Sequence, residues 1–446
     1  MDNSSGKQNS KRVKKNIIIG SGPAGRLAAL ELGTLGKEAI LIEKNYIGGN
    51  CLNEGCMVLC ALSDIATFIN NKKRYEDLGL INGERFEVFY SEIVAKIKKT
   101  QEIIRKIHMN ENQDCGNTII KGEAEIFEET VVVNGETLEY DNLLIATGSK
   151  PFIPNIKGKE HALSSSDILK LDKLPEKLNI IGGGAIATEV SSLFSSFGCD
   201  INMIIRGEFL KQIDTDLRDF ILKKLLPNVE IHQNQNIVEI EKNKVICEEM
   251  KFDGTSFLAT GRSPNSEIAK DLVKTDNRGA IIVDKMMKTN IGNVYAAGDV
   301  TSGVNLTPVA RMEGIVAGRN MAGYSNFIDY NMIPQGFSLD LNVDFIQDKE
   351  NKSSNEKEMI IPTPAGPGNF WRVLTKDTGL SKIRFNPTTK EIHWAGAISP
   401  SSVSDVAYIS YLMRTEHSME KFAEEFIEIH PSTDAFHKVI SKIYKY

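Results

Sequence analysis

Cysteine is scarce in this chain. Six in 446 residues are too few to staple a fold of this length, and they read as cytosolic thiols, where a disulfide is usually catalytic. No apolar run approaches the ~18 residues of a membrane helix, so no membrane partner is expected. Residues 1–15 are polar and basic and lack the apolar stretch of a secretory signal. They are expected to form a disordered lead-in to a cytoplasmic protein. Positive charge is not in excess either. Lys and Arg total 53 against 59 Asp and Glu, a net charge of -6, which argues against nucleic acid as the main partner. What is present, 41% hydrophobic and 25% charged residues, is the composition of ordinary globular domains, and the length implies two to four of them.

Against that scarcity, three cysteines fall within ten residues, in Gly48-Gly49-Asn50-Cys51-Leu52-Asn53-Glu54-Gly55-Cys56-Met57-Val58-Leu59-Cys60. Residues five apart in a regular helix are separated by ~7.5 Å of rise, whereas a disulfide holds its Cα atoms roughly 4.4–6.8 Å apart. Bonding Cys51 to Cys56 therefore requires an irregular turn, which Gly55 permits. Spacing alone also fits three small core residues, since free cysteine buries readily.

The segments around this stretch narrow the choice. Asn16-Ile17-Ile18-Ile19 is the apolar run of a buried parallel strand. It enters Gly20-Ser21-Gly22-Pro23-Ala24-Gly25, where the first glycine allows the tight turn, the second lets backbone approach a pyrophosphate and the third lets helix pack on strand. The helix this turn opens, expected over 26–35, presents its N-terminal dipole to phosphate. A second strand, 39–42, ends at Glu43, an acid at the distance at which a ribose hydroxyl is bound. A second unit of this kind begins at Leu178. Its turn is Gly182-Gly183-Gly184-Ala185-Ile186-Ala187, with Ala187 in the third glycine position, and its helix carries Glu189. The strand 201–205 ends at Arg206, with Lys211 beyond. An arginine there suits a 2′-phosphate, so this site favours NADPH over NADH.

Further along, the strand-to-turn segment Ile145-Ala146-Thr147-Gly148 is echoed by Leu258-Ala259-Thr260-Gly261-Arg262, as in an internal duplication. Ala297-Gly298-Asp299 ends another strand, and Leu306-Thr307-Pro308 opens a helix expected to reach about Ala322. After Tyr324 the pattern changes to strands at 370–374, 380–385 and 392–398 and helices at 403–414 and 419–426. Loops are expected at 347–358 and 362–368, and the segment closes on His430-Pro431-Ser432-Thr433-Asp434. The expected fold is α/β: a first dinucleotide-binding domain from 16–150 and 276–325, a second from 151–275, and an α+β domain from 326–446.

This constellation resembles the flavoprotein disulfide reductases of the dihydrolipoamide dehydrogenase and glutathione reductase family, from Lys15 to the end of the chain. The most specific likenesses are Gly49-Asn50-Cys51-Leu52-Asn53-Glu54-Gly55-Cys56, Ala297-Gly298-Asp299 and His430-Pro431. The resemblance implies FAD in the first site, with Glu43 on its adenosine ribose, Asp299 on its ribityl chain and the helix start at Leu306-Thr307 near its ring. It also implies NADPH, with NADH possible, in the second site. Ala124, Thr147, Gly148, Gly261 and Arg262 join the cofactor-binding candidates, and no metal is implied. A Cys51–Cys56 redox disulfide would pass electrons to a small disulfide or dithiol substrate, with Cys56 on the flavin side and Cys51 attacking. His430 would serve as acid–base group in a homodimer.

Three departures stand out. Cys60 occupies the place of a family lysine that pairs with the acid at Glu189. Asp434 is the nearest acid to His430, with Ala435 where the family has glutamate. The family's strand at the start of the last domain is replaced by the Pro/Gly-rich loop at 362–368. Altered chemistry involving Cys60, or a non-catalytic nucleotide-bound sensor, are the alternatives these departures raise. The absence of cysteines after Cys247 argues against relatives that use a C-terminal cysteine pair.

Overall fold

The computed structural model describes residues 15–83, 87–350, 356–415, 418–434 and 436–445. The lead-in, part of the 347–358 loop and Ala435 lie outside them. The chain divides into two compact units, the first from 15–53, Lys98–Lys150 and Arg262–Ile328, the second from Glu54–Ile97, Pro151–Gly261 and Asp329–Tyr446.

The first unit is built on a five-stranded sheet in the order Val294–Ala296, Asn142–Ile145, Asn16–Ile19, Ala39–Glu43 and Thr118–Lys121. All neighbours are parallel. Its strands are nearly continuous runs of Ile, Leu and Val because both faces are covered. Ile17, Leu143, Leu144 and Val294 are fully buried. Helix Pro23–Thr34 starts three residues earlier than expected, with Pro23 in its first turn, where a missing N–H costs nothing. It packs closely on helix Thr307–Met321. Gly314 makes that approach possible, because a Cβ there would run into the carbonyl of Ala24. A three-stranded antiparallel sheet, Ala124–Ile126, Thr130–Val133 and Glu136–Glu139, flanks this layer. Its hairpin turns at Asn134 and Gly135, both at positive φ, as that dipeptide predicts.

The second unit holds a parallel sheet, Val229–His232, Asp200–Ile204, Lys177–Ile181 and Thr255–Leu258, with helix Ala185–Ser196 packed against it. It also holds a five-stranded antiparallel sheet in the order Gln335–Ser338, Asn342–Gln347, Ile392–Ser399, Leu380–Phe385 and Lys357–Pro362. Helices Ser402–Arg414, Met419–Glu425 and Phe436–Lys445 cover the latter.

Three sequence expectations are corrected here. Residues 370–374 are not a strand: Phe370–Val373 is a 3-10 turn. Asn369 draws the chain round by donating to the carbonyls of Pro364 and Thr378, and Arg372 is buried against Asp340 and Asp377. Lys357–Pro362 is an edge strand that takes in the end of the loop expected at 347–358 and the start of the one expected at 362–368, and Phe436–Lys445 is a helix where the sequence predicts no element. The apolar-run reading also changes. Gly49–Asp77 contains an 18-residue window of mean hydropathy 1.4, enough by length and composition to cross a membrane. That stretch is two helices, Gly49–Asn53 and Cys56–Asp77, broken at Glu54-Gly55. Val58, Leu62 and Ala66 of the longer one are buried in the core of the second unit.

Candidate active site

The first nucleotide site begins at Gly20, whose φ of 99° only glycine adopts readily. A Cβ on Gly20 would meet the Ala146 carbonyl, and one on Gly25 would meet the carbonyl of Gly20. Gly22, Pro23 and Ala24 complete the turn and start the helix. The cysteine segment is built directly on this turn. Gly48 N donates to Ser21 O at 3.1 Å, and a Cβ on Gly49 would lie 2.7 Å from Gly22 Cα. Glu43, at the end of its strand, accepts from the backbone N and hydroxyl of Ser21 at 2.9 and 2.7 Å and from Asn45 N at 2.8 Å. The turn and the acid, 22 residues apart, are thus brought together.

The opposite wall comes from distant sequence. Asn50 donates its side-chain amide to the carbonyl of Ser149. The Ser149 hydroxyl donates to Asp299 at 2.7 Å, and Arg262 donates to the Ser149 hydroxyl and carbonyl, both at 2.7 Å. Thr147 donates to Asn265 O, and Asn265 N donates to Gly148 O. Ala124 is buried in its strand. Leu306 precedes the first turn of the helix that begins at Thr307. Sequence reasoning missed Ser149, Asn265 and Glu313. Glu313 is 1% exposed and accepts from Gly298 N at 2.6 Å. The signal was there, since it is an acid on the helix face that Ala310, Gly314 and Ala317 make apolar.

In the second unit the turn after Lys177–Ile181 repeats the first. Gly182 has φ of 140° and lies against the Ala259 carbonyl. Gly184 caps helix Ala185–Ser196, and Ala187 is fully buried. Arg206 and Lys211 are exposed beyond strand Asp200–Ile204. Gly261, at φ 114°, accepts from Phe152 N at 2.9 Å.

Cys51 is half-buried on the short helix, while Cys56, the first residue of the long one, and Cys60 are exposed. Glu189 accepts from Ser338 N at 3.0 Å. Burial of its carboxyl group, opposed by that hydrogen bond and aided by nearby Cys56, pushes its pKa up to about 7. Partial desolvation of the thiol on its otherwise exposed residue, then Cys56 and Glu189, raise the Cys60 pKa above its ordinary value. His430 is exposed. Asp434 is buried and accepts from the Tyr408 hydroxyl and from Phe436 N, both at 2.8 Å, so it also starts the terminal helix.

Two glycine-turn sites and a cysteine pair at a helix break define a pyridine-nucleotide- and flavin-dependent oxidoreductase acting on disulfides. Residues 14–314 match the family model described as pyridine nucleotide-disulphide oxidoreductase, and the chain belongs to that family. It is 31% identical to dihydrolipoyl dehydrogenase from Geobacillus stearothermophilus over 94% of this chain and 93% of that one. It is 30% identical to an uncharacterised protein of Methanocaldococcus jannaschii over 95% and 97%. The fold superposes on the HOCl-induced flavoprotein disulfide reductase RclA from Escherichia coli with a TM-score of 0.84 at 22% identity, covering 97% and 99% of the two chains.

Proposed function

We propose that this enzyme passes electrons from NADPH, with NADH as a poorer donor, to a small lipoamide-like disulfide through FAD and the pair Cys51–Cys56. The observation that supports this most is the seat of the cysteine segment on the dinucleotide turn, Gly49 against Gly22. The glycine cradle, Glu43 with Ser21, and Asp299 with Ser149 suit an FAD pyrophosphate, ribose and ribityl chain. Gly182, Gly184, Ala187, Arg206 and Lys211 suit NADPH. FAD, when bound, supplies the two-electron relay between nicotinamide and the cysteine pair.

The chain's residues do the rest. With the pair reduced, Cys51 attacks one sulfur of the substrate disulfide as a thiolate, forming a mixed disulfide and releasing the other sulfur as a thiol. Cys56 then attacks Cys51, releasing the second thiol and re-forming the Cys51–Cys56 disulfide. His430 carries the proton that each leaving thiolate needs. The raised pKa of the Cys60 thiol disfavours its thiolate form, the form that attacks a disulfide. We place His430 at the partner's cysteines in a homodimer. The nearby Ile427 and Ile429, 90% and 86% exposed, support an interface there. The proposed domain limits are 16–150 with 276–325, 151–275 and 326–446, and the proposed compartment is the cytoplasm.

The test is an anaerobic titration of the purified, yellow protein with NADPH. Two additional thiols per chain and a long-wavelength charge-transfer absorption lost in Cys56→Ser are expected, and Cys51→Ser should abolish disulfide reduction while keeping the flavin. Protein without flavin, or an active Cys51→Ser variant, would sink the proposal.

A further inference from the structure

The proposed mechanism leaves unused a group of ionisable side chains around Arg26, the residue that links them to Cys51, all in the first unit. Arg26 follows the third glycine of the dinucleotide turn. Its side chain is 13% exposed and pairs with Glu111 at 2.9 Å. Its guanidinium lies within charge–charge range of Cys51 and of Arg311. Arg311 is exposed on helix Thr307–Met321 and makes no ion pair among the described residues. His108, on the same helix as Glu111, faces Arg26, Arg311 and Glu111. Its Nδ1 is buried and has no hydrogen-bond partner among the described residues.

The arrangement is not balanced within itself. Two guanidiniums stand against one carboxylate, and burial with the neighbouring arginines, opposed by Glu111, lowers the His108 pKa and so disfavours the imidazolium. With Cys51 uncharged, one positive charge and one orphaned ring nitrogen are left over. An ion pair that only tied two helices together would need Arg26 and Glu111 and nothing more. Guanidinium groups recognise carboxylates and related anions through paired, charge-assisted hydrogen bonds, and a buried unpartnered polar atom is costly unless something meets it.

We propose that Arg26, Arg311 and His108 form an anion subsite beside Cys51, and that the enzyme's disulfide substrate bears an acidic group that docks there. This rests on the reading that Cys51 is the thiol that meets substrate. Arg311 is the specificity-determining residue, since Arg26 is already engaged by Glu111.

Steady-state reduction by NADPH of three probes tests it with the flavin-loaded enzyme: the dianionic 5,5′-dithiobis(2-nitrobenzoate), the neutral 4,4′-dithiodipyridine and the dicationic cystamine. Arg311→Gln, a surface change, should lower kcat/KM for the dianion about tenfold more than for the neutral probe. Arg311→Glu should widen that gap and favour cystamine. Equal losses on all three probes, or no loss on any, would overturn the subsite. Cys51→Ser separates the two levels. Loss of all disulfide reduction upholds the underlying reading whatever Arg311 does, whereas retained reduction overturns that reading and the subsite with it.

Discussion

At the scale of single residues, Glu189 and Cys60 set this chain apart. The acid has a thiol beside it, and its pKa of about 7 leaves it largely neutral below pH 7 and charged above. A charge forming there opposes ionisation of nearby Cys56. The charge-transfer absorption of the reduced enzyme should therefore show an inflection near pH 7 that Glu189→Gln removes. In Cys60→Lys the new cation should favour the carboxylate and move the inflection to lower pH. An inflection unchanged in both variants would assign it to another group. Arg206, exposed two residues beyond strand Asp200–Ile204, predicts a second outcome. Arg206→Ala should raise KM for NADPH about tenfold, the worth of ~1.4 kcal/mol, and leave KM for NADH nearly unchanged. Parallel changes for both nucleotides would reject the 2′-phosphate contact.

Among elements, the crossing of helices Pro23–Thr34 and Thr307–Met321 positions the first site from both sides. One helix starts at the dinucleotide turn, and the other carries Glu313 and Arg311. Gly314 against Ala24 is the tightest point of that crossing. Gly314→Ala should cost about 1–3 kcal/mol, the usual penalty of overpacking, seen as a lower Tm and a lower flavin content of the purified protein. A variant with both values unchanged would mean that the helices yield without disturbing the site. The C-terminal elements show why sequence reading stopped short. Residues 370–374 alternate like a strand, but the bonds of Asn369 and the burial of Arg372 with Asp340 and Asp377 decide otherwise, and Asp340 lies far away in sequence.

For the whole molecule, the distinctive property is a set of buried carboxyl groups with raised pKa values in the second unit. Burial holds Glu189 and Asp405 at about 7 and Asp344 at about 6, while the unfolded chain ionises them near pH 4. The folded protein therefore binds more protons than the unfolded one between roughly pH 4 and 7, and stability falls as pH rises through that window. Each tenfold gain in proton affinity on folding is worth ~1.4 kcal/mol, so the three acids together contribute on the order of several kcal/mol. The Tm should drop between pH 5 and 8, and the slope should flatten in Asp405→Asn combined with Asp344→Asn. A Tm that climbs over this range would contradict the burial of these acids.

The amino-acid sequence by itself determined both dinucleotide turns, the acid and base that end their second strands, and the cysteine pair. Each of these is local: a few glycines, one charged strand end and a helix break within a short stretch, where backbone geometry dictates residue type. Only the tertiary structure decided what depends on distant partners. It joined Ser149 to Asn50, Asp299 and Arg262, put Glu313 on Gly298, gave Asp434 to Tyr408 and the terminal helix, and gathered His108, Glu111 and Arg311 about Arg26. Burial and electrostatic range are properties of the assembled fold, so neither the raised pKa of Glu189 nor the arginine pair of the first unit can be read from spacing alone.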